Sequence, residues 1–108
     1  MTGYTTNLHP DLIAKLTELE KLCATTLDIT SGYRDPGHNA DVGGVKNSEH
    51  TYDPSMAADI ACPSGSLRWA LVSSAIRLGI VRIGIGKTFV HIGIAPDKPQ
   101  RVIWHYYP

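Results

Sequence analysis

Three short runs rich in β-branched and aromatic residues crowd the C-terminal third of the chain: IVRIGI at 80–85, TFVHIGI at 88–94 and RVIWHYY at 101–107. Gly86-Lys87 and the Pro96-Asp97-Lys98-Pro99 stretch separate them, so they read as strands joined by turns. A sheet of this kind needs an apolar cover, and the cover is visible upstream. Leu12, Ile13, Leu16, Leu19, Leu22 and Cys23 recur at three- and four-residue steps. That spacing predicts an amphipathic helix over 10–24, with Pro10 and Asp11 suited to its first turn. Leu67, Ala70, Leu71, Ser74, Ala75 and Leu78 predict a second helix over 66–78, which Gly79 stops. Further strands are expected at 27–30 and 56–61, and a short helix within 38–48 that Gly43-Gly44 ends. The first nine residues read as an extended lead-in. The expected fold class is α+β: a small single domain, residues 1–108, with helices packed on a mostly antiparallel sheet.

Composition narrows the function. With 108 residues the chain has the size of one domain and a limited core. Ten Lys and Arg balance ten Asp and Glu, and no basic stripe suggests a nucleic-acid partner. No apolar stretch is long enough to span a membrane. The opening MTGYTTNLHPDLIAKL lacks a basic start followed by an apolar run, so no signal peptide is expected in it. Cys23 and Cys62 both sit among apolar residues and read as buried free thiols, with one disulfide as the alternative.

The chemistry concentrates in NSEHTYDPSMAADI and KTFVHIGI. His50, Asp59 and His91 offer two imidazoles and a carboxylate, a set that can hold zinc and leave a position open for water. Asp59 interrupts the apolar segment MAADIA, where a lone buried carboxylate is costly. A metal would remove that cost, as would a helix terminus or Arg34. On a strand His91 shares its face with Phe89 and Gly93, and the bare glycine leaves room beside the imidazole. Arg34, in SGYRDP, can grip a substrate carboxylate or carbonyl, or form a salt bridge to Asp35, Asp41 or Asp59. Ser48 can bond a ligand or cap the backbone, and His38 orders its loop.

These segments together, ITSGYRDPGHNADVGGVKNSEH, MAADIA, RIGIGKTFVHIGI and VIWHYY, resemble the M15 peptidases. These are zinc D-alanyl-D-alanine carboxypeptidases and related peptidoglycan peptidases, and the chain looks most like their short phage and bacterial form. The resemblance implies zinc on His50, Asp59 and His91, a substrate-anchoring Arg34, and a Hedgehog/DD-peptidase-like α+β fold. It implies a peptidoglycan peptide as substrate, and a monomer or part of a larger phage assembly. It places the protein at the bacterial cell wall or periplasm, or in association with a phage. Two departures stand out. The His50–Asp59 offset of nine exceeds the family's usual seven. The acidic general base that the family carries three residues before the last histidine, or two after it, falls here on Thr88 or Gly93. Substitutes are conceivable: His105, if a hairpin joins 88–94 to 101–107 in the right register, or Asp53 in the extended loop. Glu49 is expected to point away from the site if its segment is extended. The alternative to an enzyme is a catalytically impaired zinc-binding structural or wall-binding module.

Overall fold

The computed structural model describes residues 1–107. Its elements run β1 (Thr2–Gly3), α1 (Pro10–Cys23), β2 (Asp28–Ser31), α2 (Pro36–Asp41), a 3-10 turn (Glu49–Thr51), β3 (Ala57–Ala61), α3 (Gly65–Arg77), β4 (Arg82–Ile85), β5 (Phe89–Gly93) and β6 (Val102–His105). The two long helices form where the three- and four-residue periodicity predicts them. His9 Nδ1 accepts the Asp11 N–H ahead of α1, and Ala24 closes that helix in the left-handed region at φ 52°. Ser64 Oγ accepts the Leu67 N–H at the start of α3, satisfying a donor that the helix itself cannot.

The six strands form one sheet in the order β1-β2-β3-β5-β4-β6. β2–β3, β3–β5 and β4–β5 pair antiparallel, whereas β1–β2 and β4–β6 pair parallel. Strand alternation splits the sheet into two faces. Ala58 and Ile60 of β3, Val90 and Ile92 of β5 and Ile83 of β4 join Leu12, Leu16 and Leu19 of α1 and Leu71 and Ala75 of α3 in one apolar cluster. Asp59, His91, Gly84 and Arg82 occupy the opposite face, away from the long helices. Cys23 and Cys62 are free thiols, and Cys62 lies in the core.

One expectation is refined here and one is corrected. The lead-in is not merely extended: Thr2–Gly3 adds a parallel edge strand beside β2. The last strand does not form a hairpin with β5. Both edges of β5 are taken, by β3 and β4, so the final strand docks parallel on the free edge of β4. Its register aligns Gly84 with both His91 and Trp104, and Ile85 with His105.

Candidate metal centre

Three elements bring the polar groups together on the open face. β3 and β5 place Asp59 directly opposite His91, and the 3-10 turn delivers His50. Ser48 starts that turn, its Oγ accepting the His50 N–H at 3.2 Å. The nine-residue offset is absorbed by a loop anchored elsewhere. Asn7 Nδ2 donates to Asp53 Oδ1, and Tyr52 Oη donates to Asp97 Oδ2.

The ligand atoms of His50, Asp59 and His91 all lie within 4.8 Å of one another, and all three residues are buried. His50 Nε2 is 3.2 Å and His91 Nδ1 is 3.0 Å from Asp59 Oδ1. The far nitrogen of each ring fixes what the near one can be. His50 Nδ1 is 2.7 Å from the Gly32 carbonyl oxygen, which only accepts, so that nitrogen carries a proton. His91 Nε2 is 2.7 Å from Glu49 Oε2 and donates to it. In the neutral rings, two imidazole lone pairs and a carboxylate oxygen therefore converge with no hydrogen between them. Such a cluster requires a cation, either an extra proton or a metal ion. The donor set suits zinc, which takes histidine nitrogen and carboxylate oxygen in tetrahedral coordination.

The electrostatics agree. Burial alone would raise the Asp59 carboxyl, but once the cluster takes up a proton the hydrogen bonds from His50 and His91 outweigh it and hold the group far below the usual carboxylate range. Burial alone would lower His91, but its bonds to Asp59 and Glu49 outweigh that and raise it. Arg34 adds positive charge at the rim. Its Nε donates to Ser31 Oγ at 2.9 Å, its Nη1 to Asn39 Oδ1 at 3.2 Å, and its Nη2 approaches Asp59 Oδ2 at 3.4 Å. The salt-bridge alternative for Arg34 is thus realised on Asp59. Arg34 nevertheless lines a cleft of about 350 Å³ that also exposes His50, Asp59, His91, Ser48 and Tyr106.

The suggested proton acceptors stand elsewhere. His105 aligns with Ile85, on the face opposite His91, and its ring stacks on Tyr107 at 5.7 Å. Asp53 is exposed and bonded to Asn7. Sequence reasoning turned Glu49 away from the site, on the expectation of an extended segment, and the structure corrects this. The 3-10 turn rotates its side chain inward, where it is 2 % exposed and meets His91, Arg82 and the Ala95 N–H. Sequence reasoning missed Trp104 and Tyr106. Gly84 lets the Trp104 indole lie across it to within 5.4 Å of the His91 ring, and Arg82 stacks on that indole at 5.0 Å. The signal for Trp104 was its place one residue before His105.

A His–Asp–His group able to hold a metal ion, at the base of an open cleft on a mixed sheet backed by two helices, fits the frame of a small metal-dependent hydrolase. Residues 2–94 match the family model described as Peptidase M15, and the chain belongs to that family of metal-dependent peptidases. Neither a curated protein nor a solved structure matched the chain. The matched residues include all three potential ligands and Arg34, and they end before β6.

Proposed function

We propose that this chain is a zinc peptidase that cleaves peptide bonds in bacterial cell-wall stem peptides, as a D-alanyl-D-alanine carboxypeptidase or a peptidoglycan endopeptidase. Its place of action would be the cell wall or periplasm, reached from a bacterial host or from a phage particle. The observation that carries the reading is the clustering of three acceptor atoms within 4.8 Å of one another, with the far nitrogen of each ring engaged elsewhere. Zinc held there would polarise a peptide carbonyl and bring the pKa of a water toward neutrality. The protein's own part is orientation and charge. Gly32 and Glu49 fix the two rings. Arg34 lines the cleft and keeps N–H groups beyond its three bonds, which would take a substrate carboxylate or carbonyl oxygen.

Protein purified without chelator should contain one zinc per chain by elemental analysis. It should release alanine or new amino termini from a panel of stem peptides and crosslinked wall, and a chelator should stop this. Absence of stoichiometric zinc sinks the metal reading. Stoichiometric zinc without turnover supports a second reading, a metal-binding module that holds wall peptide without cutting it. One observation favours that reading: among the described residues lining the cleft, Asp59 is the sole carboxylate. Positioned proton transfer is worth roughly 10²–10⁴-fold, so an enzyme built this way would be slow.

A further inference from the structure

The Glu49 carboxylate occupies the space beside β5 into which a side chain at position 93 would project. Residue 93 shares the face of His91, and a β-carbon added to Gly93 would overlap the carboxylate atoms of Glu49. Glu49 is held there by every donor around it. His91 Nε2 lies 2.7 Å from Oε2, the Ala95 N–H lies 3.2 Å from Oε1, and Arg82 Nε approaches both oxygens at 3.1 and 3.2 Å. Arg82 is fixed in turn by the Pro99 carbonyl at 2.7 Å and by the Trp104 ring. These contacts place Glu49 on the Nε2 side of the His91 ring, whereas Nδ1 faces Asp59.

We propose that Glu49 is a positioning residue. A carboxylate delivered from the ligand-bearing turn, in the room that Gly93 vacates, holds the proton of His91 on Nε2 and presents Nδ1 to the metal. One 3-10 turn then sets both histidines, His50 by carrying it and His91 through the neighbouring Glu49. Position 93 must stay glycine while Glu49 points inward, and the two positions are exchangeable as a pair. The inference rests on the metal reading above, but the His91 tautomer can be tested without metal.

The test compares wild type, Glu49→Ala, Glu49→Gln and the relocation variant Glu49→Ala with Gly93→Asp. Zinc affinity is measured by competition with a chromophoric chelator, and His91 ring protons by 15N-edited NMR on metal-free protein. Glu49→Ala should weaken zinc about 10–100-fold, the usual cost of losing such an orienting partner, and the relocated aspartate should recover most of it. The metal-free wild type should show a hydrogen-bonded Nε2–H resonance, which Glu49→Ala loses and the relocation variant regains. A merely structural glutamate would lower thermal stability while leaving the zinc affinity of the folded protein and its rescue pattern flat, and that result overturns the proposal. Glu49→Gln, whose amide oxygen can still accept the Nε2–H, should lose less affinity than Glu49→Ala; if Glu49→Ala does not fold, a metal-free wild type that carries its neutral His91 proton on Nδ1 refutes the role. A wild type that binds no zinc defeats the metal reading, whereas its Nε2–H resonance still supports or refutes the role of Glu49.

Discussion

On the helix side of the sheet, Ile60 and Ile92 are fully buried in an apolar cluster with α1 and α3. One residue along the same strands, Asp59 and His91 are 7 % and 4 % exposed, yet each is held by directed bonds rather than by packing. Burial is nearly equal on the two faces, but its energetic meaning is opposite. Covering a methylene is favourable by itself, whereas covering a carboxylate is unfavourable until partners satisfy it. Period-two alternation lets residues of one strand do both tasks without mixing them. The helix face sets whether the domain folds, and the open face sets what the folded domain can hold.

The comparison breaks first on the apolar side. Ile60→Ala should cost about 2–5 kcal/mol of stability, since it leaves a cavity in a packed core. Denaturant titration checks the loss. Zinc affinity of the molecules that remain folded should be unchanged, and a weakened affinity would mean that the faces are coupled. Asp59→Ala, one position away, should do the reverse. It removes the oxygen shared by both histidines, so stoichiometric metal and any peptide release should vanish. Zinc at about 100 times its dissociation constant stabilises a folded protein by about 2.7 kcal/mol, and that increment should be absent in the variant. Thermal melts with and without zinc measure it, and wild type treated with chelator should behave the same way.

Sequence periodicity made the helix side legible, because α1 and α3 follow a local rule that any window of the chain displays. The three candidate ligands were legible through the resemblance and through alternation about His91. Their supports were not. Glu49 sits beside His50, and whether it points inward depends on a single 3-10 turn that replaces an extended segment. The pairing of β6 depends on which strand edge remains free, a property of the whole sheet that the run RVIWHYY does not contain. That choice also decides the face: beside β4 in this register, Trp104 looks toward the centre and His105 looks away.

His105 and Asp53 sharpen the same division. His105→Ala and Asp53→Ala touch neither the core cluster nor the centre. Each should leave stability within about 0.5 kcal/mol and both zinc affinity and turnover within about twofold of wild type. A tenfold or greater loss of turnover in either variant, with metal retained, would restore that residue as the proton acceptor.

The smallest effect belongs to the clasp that ties the extended loop to the β5–β6 connection. Tyr52 Oη donates to Asp97 Oδ2 at 2.7 Å, and this hydrogen bond, with a smaller contribution from burial, pushes the phenol up to about 12. The sign follows from linkage. The folded state holds the Tyr52 proton more tightly than an unfolded chain does, so the stabilisation is complete below about pH 10 and is lost as pH rises toward 12. Near neutral pH it should therefore be insensitive to pH. Asp97→Asn should return Tyr52 toward its ordinary titration, read from phenolate absorbance, with zinc affinity unchanged because Asp97 lies outside the cleft. Should zinc weaken in that variant, the loop would be shaping the centre through His50 two residues before Tyr52, and the boundary between clasp and site would have to be redrawn.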